Sequence, residues 1–207
     1  MRYLDLLTAL FATVLLVSNV ASTKLVVLGP FPFDGGTLLF PLAYIFGDVL
    51  TEVYGYRKSR RVIWIGFFAL LLATLTFQAV AHLPAPPDAE SQRFGEAFGL
   101  LLGLTPRIVL GSLLAYFLGE FANAYVLAKL KVRTEGRFFW LRALASTLVG
   151  QGLDTGVFLL VAFYGVFPKE VLLAVFLSNY AFKLGVEALM LPFTYAVVGF
   201  LKRAEGM

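Results

Sequence analysis

Apolar runs long enough to cross a bilayer recur along the chain, and the one from Phe40 to Arg61 carries two carboxylates, Asp48 and Glu52, one helical turn apart. It ends in the basic cluster Arg57, Lys58, Arg60 and Arg61. A spanning helix needs about 20 mostly apolar residues. Six runs qualify, at about 4–27, 38–56, 62–83, 106–130, 142–166 and 170–201. The expected fold is all-α: a polytopic membrane protein whose six transmembrane helices form one domain over residues 1–207. Hydrophobic residues make up 59% of the chain and charged ones 14%, proportions that a soluble domain does not have.

The N-terminal run has one Arg before it and no small-residue cleavage signal after it, so it reads as a retained helix. Basic residues crowd the second connection (Arg57, Lys58, Arg60, Arg61) and the fourth (Lys129, Lys131, Arg133, Arg137, Arg142), which places both in the cytoplasm. With six spans, the N- and C-termini, marked by Arg2 and by Lys202 and Arg203, fall on that side as well. The net charge of +4 thus reports topology, and no nucleic-acid partner is expected. Pro192 should kink the last span near Met190. The Pro-rich external connection over 84–105 reads as a short interfacial helix, a lid or a plain loop.

Several classes of chemistry lack their residues. There is no Cys, hence no disulfide, thiolate nucleophile or Cys-based metal site. A single histidine, His82, sits beside the external loop and reads as an interfacial side chain, since catalytic zinc usually takes three protein ligands. No phosphate-binding loop occurs, no cofactor or metal is expected, and no nucleophile and base stand together as in an enzyme.

The polar residues at membrane depth carry the functional signal. Asp48 and Glu52 share a face of the second span, as do Tyr44 and Tyr56. Glu120 and Asn123 lie three residues apart in the fourth span, and Gln151 and Asp154 in the fifth. Asn179, Lys183 and Glu187 stack at four-residue spacing in the sixth, and Ser18, Asn19 and Thr23 precede Lys24 in the first. Such groups can bridge packed helices for about 0.6 to 2 kcal/mol each. Five carboxylates against two lysines exceed what bridging needs, and a central polar cavity accounts for them together. The segment 43–48 is echoed at 115–120, the kind of internal repeat on which many carriers are built.

The ordered series Asn19, Lys24, Gly35-Gly36, Phe40-Pro41-Leu42, Asp48, Thr51-Glu52, Tyr54-Gly55-Tyr56-Arg57, Arg60-Arg61 and Trp64 resembles the queuosine precursor transporters, formerly called vitamin uptake transporters. The later residues Arg142, Ser146-Thr147, Gln151, Asp154-Thr155, Phe158, Tyr180, Lys183, Pro192 and Tyr195 agree with it. The resemblance covers nearly the whole chain. It implies import of 7-deazaguanine precursors of a tRNA nucleoside, preQ0 or preQ1, across a bacterial inner membrane; polar stripes facing a central cleft suit a secondary carrier of the alternating-access kind, with proton-coupled, sodium-coupled and passive transport all open. For such cargo Asp154 or Asp48 would accept the guanine-like N–H and amino groups, and Gln151, Asn19 and Lys183 would donate to the ring. Glu52 would meet the aminomethyl cation of preQ1. Tyr44 and Asn179 stand in a second tier, and Glu120 and Glu187 are the candidates for proton coupling. The alternatives are a substrate-binding membrane subunit served by a separate ATPase module, and a channel-like or structural membrane protein. Gly-rich helix faces make a homodimer plausible.

Overall fold

The computed structural model describes residues 3–28, 31–103 and 106–206. In chain order these are α1 (Leu4–Ala21), β1 (Leu25–Leu28), β2 (Phe31–Asp34), a 3₁₀ turn (Gly35–Leu39), α2 (Phe40–Tyr54), α3 (Tyr56–Ala81), α4 (Ala89–Leu102), α5 (Pro106–Arg133), α6 (Phe139–Phe163) and α7 (Lys169–Ala204). Five of them, α1, α3, α5, α6 and α7, are long and apolar enough to cross a membrane. The second expected span, 38–56, is a helix of only 15 residues, Phe40–Tyr54. At 1.5 Å per residue it covers about 22 Å, short of the roughly 30 Å of a hydrocarbon core.

The first span also differs from expectation: the helix stops at Ala21 instead of continuing to residue 27. The Ser22 hydroxyl donates to the Ser18 carbonyl (2.8 Å) and the Thr23 hydroxyl to that of Val20 (2.8 Å). These side chains offer the backbone an alternative to helix just where the β-favouring Val26 and Val27 follow. β1 then pairs antiparallel with β2, Leu25 opposite Asp34 and Leu28 opposite Phe31, a departure from the expected all-helical architecture. Gly35 closes the hairpin by donating to the Lys24 carbonyl (2.8 Å), and a Cβ there would lie 2.5 Å from the Ala21 carbonyl oxygen. Lys24, expected at membrane depth in the first span, lies exposed in the turn between α1 and β1.

α1 and α2 run antiparallel side by side. At one end Ser18 donates to the Gly36 carbonyl (3.3 Å); at the other, the Tyr3 amide and the Tyr54 hydroxyl both donate to Oε1 of Glu205 (3.0 and 2.9 Å). The two ends of the chain therefore meet at one end of the bundle. Gly55, with φ 81°, turns α2 into α3 through backbone that favours glycine.

The apolar core gathers around α2, where Val49, Leu50, Val53 and Tyr54 pack against Leu7 and Phe11 of α1, Val62 and Ile63 of α3, Leu127 of α5 and Leu201 of α7. α5 and α6 approach closest. A Cβ on Gly119 would sit 2.8 Å from Asp154 Cβ, and one on Gly150 would sit 2.7 Å from Asn123 Cβ. Small residues permit such contact, the usual basis of helix packing in lipid.

α7 runs unbroken through Pro192 for 36 residues. In the turn that contains the proline, the Thr194 hydroxyl donates to the Met190 carbonyl (3.2 Å). In the connection over 84–105 the structure forms a helix, α4, in which no residue is buried. Asp88 caps it by accepting the Ser91 amide (2.8 Å). Phe94, Leu100 and Leu101 lie exposed on it, and its middle borders an open cleft of about 590 Å³ against the end of α3.

Candidate functional site

The close approach of α5 and α6 brings the polar faces of both helices to α7. Lys183 of α7 donates from Nζ to Oδ2 of Asp154 (2.7 Å) and to the Thr155 hydroxyl (3.2 Å), both on α6. The pair is not sealed: the Asp154 side chain retains 29% of its exposure and that of Lys183 13%. Glu120 of α5 stands within electrostatic reach of both. Gln151 lies about one turn before Asp154, half-buried, and Asn179 one turn before Lys183, exposed. Beside them the rings of Phe176 and Tyr180 stack, with centroids 5.4 Å apart and planes 16° from parallel. They pass over Gly156 and Gly152, whose missing side chains leave room for the rings. The Tyr180 hydroxyl donates to the Leu148 carbonyl (2.7 Å) and holds the stack in place.

A second polar group lies deeper. Asp48 of α2 and Glu187 of α7 face each other, with Asn123 of α5 alongside and Glu120 near enough to act on Asp48. Each of the two carboxyl side chains is 1% exposed. Oδ2 of Asp48, both carboxyl oxygens of Glu187 and Oδ1 of Asn123 are buried without a hydrogen-bond partner.

Glu52, one turn beyond Asp48, belongs to a third group at the basic end. Its Oε2 accepts from Nη1 of Arg142 (2.5 Å), and its Oε1 from Lys202 (2.8 Å), with Lys131 3.4 Å away. Lys131 also donates to the Glu52 carbonyl. Three cations from α5, α6 and α7 thus converge on one carboxylate of α2. Arg142 spends its other donors on the carbonyls of Arg137 and Gly136 (both 3.0 Å), which ties down the connection between α5 and α6. These partners of Glu52 were visible in the sequence only as flanking charge; the signal that could have found them is a carboxylate at the membrane end to which the basic clusters belong.

The expected site residues therefore divide. Asp154, Lys183, Gln151, Glu120 and Asn179 fall in one sector, Asp48 and Glu187 in the next, and Glu52 in the ion cluster. Asn19 lies apart from all three, in a cavity of about 120 Å³ shared with Leu16, Thr23, Leu70, Thr74 and Phe77. The side chain of Tyr44 is outside the described residues. Among the described residues no group of three or more Asp, Glu, His or Cys is placed to hold a metal ion.

A family model described as "Putative vitamin uptake transporter" matches residues 34–197. The chain belongs to this family. The matched stretch contains all three polar groups apart from Lys202, whereas Asn19 precedes it. Similar relatives of this transporter family include a "Probable queuosine precursor transporter" of Bacillus subtilis, 36% identical over 188 residues, which are 90% of this chain and 80% of the relative. A "Queuosine precursor transporter" of Escherichia coli is 27% identical over 168 residues, 79% of this chain and 71% of the relative. A "Probable queuosine precursor transporter" of Haemophilus influenzae is 26% identical over 166 residues, 79% of this chain and 67% of the relative. No solved structure matches the chain.

Proposed function

We propose that the chain is a secondary carrier that imports queuosine precursors, the 7-deazaguanines preQ0 and preQ1, across the bacterial inner membrane. The relatives' names support the cargo class. The observation that carries the reading onto particular residues is the incompletely sealed Asp154–Lys183 pair beside a flat aromatic stack. Without cargo the two charges satisfy each other, so the empty site does not leave an unpaired ion at membrane depth. When cargo enters, the Asp154 carboxylate accepts the ring N–H and the amino group together, the strong charge-assisted arrangement. Lys183 and Gln151 then donate to the ring carbonyl. Phe176 and Tyr180 offer a face for the planar base, an interaction worth about 1–3 kcal/mol.

The aminomethyl cation of preQ1 falls to Glu120 in this arrangement. Glu52, the earlier candidate, is already surrounded by Arg142, Lys131 and Lys202. We assign that cluster to closing the cytoplasmic end. Alternating access would then break and remake the contacts of α2 with α5, α6 and α7.

The topology we propose has six passes, the hairpin, the 3₁₀ turn and α2 together making the second. This parity agrees with the meeting of the chain ends at Glu205. The basic residues put that end in the cytoplasm.

The test is uptake of labelled preQ1 into liposomes containing the purified chain and no ATP. The proposal expects saturable uptake that preQ0 competes with and adenine does not. Absence of uptake by folded protein would overturn it, and uptake only after addition of an ATPase module would favour the substrate-binding subunit.

A further inference from the structure

We propose that the Asp48–Glu187 pair is a proton-binding site, and that a proton held there joins α2 to α7 and couples cargo movement to the transmembrane proton gradient. The coupling half rests on the carrier reading above; the proton-binding half does not.

Ionised carboxylates only accept hydrogen bonds, and two of them face to face have no donor between them. That is the arrangement seen: the pair is buried, and three of its four carboxyl oxygens lack a partner. A proton on either group turns it into a donor toward the other, and the bond so formed, O–H to a carboxylate oxygen, is of the strong charge-assisted kind.

Among the described residues none that acts on the pair carries a positive charge. From α5 come Asn123, which is neutral, and Glu120, which adds negative charge. From α6 comes Asp154, behind Glu120. Lys183, one turn away on α7 itself, is engaged with Asp154 and Thr155, and Arg142, Lys202 and Lys131 are engaged with Glu52. α1 and α3 also flank α2, but their charged residues Asp5, Arg57, Lys58, Arg60 and Arg61 lie in the first two turns of each helix, toward the basic end.

The consequence for movement follows from α2. It is short, it is preceded by a hairpin rather than a continuous helix, and its contacts to α7 run from Asp48–Glu187 to Glu52–Lys202. Loss of the proton leaves two facing negative charges at depth, which repel. α2 and α7 then part at that level. The proton taken up from the outer side is the one released inside, so one positive charge accompanies each step.

Two measurements test this on the full chain. The first needs no cargo: infrared spectra at neutral pH should show a protonated-carboxyl band that shifts in D₂O and is lost in both Asp48→Asn and Glu187→Gln. If the band is missing, or survives in both variants, the pair holds no proton and the proposal falls. The second uses liposomes with a pH-sensitive dye inside. An inward proton gradient should raise the initial rate of preQ1 uptake several-fold with acidification of the lumen, and Glu187→Gln should keep preQ1 exchange while losing both effects. A gradient response in Glu187→Gln equal to that of the unaltered chain would overturn the coupling. If the unaltered chain moves no preQ1 at all, the cargo reading fails instead, and the infrared result still decides the proton site.

Discussion

Arg142 and Glu52 form an ion pair of 2.5 Å in which the two side chains are 1% and 2% exposed. Two helices far apart in sequence are pinned there, α2 at its last turn and α6 at its first. A buried pair is poor evidence of net stabilisation, because desolvation offsets the attraction, but losing one member strands the other.

Replacing Glu52 by Gln is therefore expected to destabilise the protein by about 3–5 kcal/mol, since a buried guanidinium would lose its anion. Lys202→Ala, which removes a half-exposed partner of the same carboxylate, is expected to cost less than about 1 kcal/mol. Combining Glu52→Gln with Arg142→Gln should recover part of the loss. Unfolding transitions in detergent for the singles and the double test the cycle; additive losses would show that the two residues do not act as a pair.

The α5–α6 contact leads to a steric prediction. Gly119→Ala and Gly150→Ala each force a Cβ against Asp154 or Asn123 and against backbone of the facing helix, at an expected cost of about 1–3 kcal/mol. Gly199→Ala, where nothing lies within 4 Å, is expected to be neutral or slightly stabilising because Ala is the better helix former. The same unfolding assay ranks the three, and Gly119→Ala should also weaken cargo binding by displacing Asp154.

How much of this the chain announces varies from residue to residue. Helix positions α3, α5, α6 and α7 follow from apolar length, and Asp154 with Lys183 from the rarity of charge in such runs. The stop at Ala21 was not legible, because Val26, Val27 and Leu28 are as apolar as a helix continuing through lipid. It took the back-bonding hydroxyls of Ser22 and Thr23, and pairing with residues 31–34, to make that stretch a hairpin. Periodicity places Glu52 beside Asp48; which cations reach it depends on how the ends of α5, α6 and α7 converge, and one helix's spacing does not contain that. Asn19 shares the polarity of the other candidates, and its side chain faces a separate cavity lined by α1, α3 and α4.

The exposed helix α4 gives a pH-dependent prediction. The Ser91 amide, donating to Asp88, holds that exposed carboxyl below the usual carboxylate range. A depressed folded value stabilises fully above the unfolded one, about 3.9, and the benefit is lost as pH falls through the folded value. Amide protection across the first turn of α4 should therefore drop below about pH 4, and Asp88→Ala should show the same low protection at pH 7. Equal protection in both proteins at pH 7 would mean that packing on α3, not the cap, holds the turn.

At the proposed cargo site, loss of one charge-assisted hydrogen bond costs about 1.5–3 kcal/mol, or roughly ten- to a hundredfold in affinity. Lys183→Gln is expected to weaken preQ1 and preQ0 binding by that factor, and Glu120→Gln to weaken preQ1 alone, since only preQ1 carries the aminomethyl cation. Titration of both ligands against each variant separates the two roles.

Recognition of a 7-deazaguanine by Asp154 is tested most directly by equilibrium binding of preQ0, preQ1 and adenine to detergent-purified protein, with Asp154→Asn in parallel. The expected result is selective binding of preQ0 and preQ1 by the unaltered chain and its loss in a variant that remains folded. Binding of equal strength in Asp154→Asn, or none by the folded unaltered chain, would contradict it.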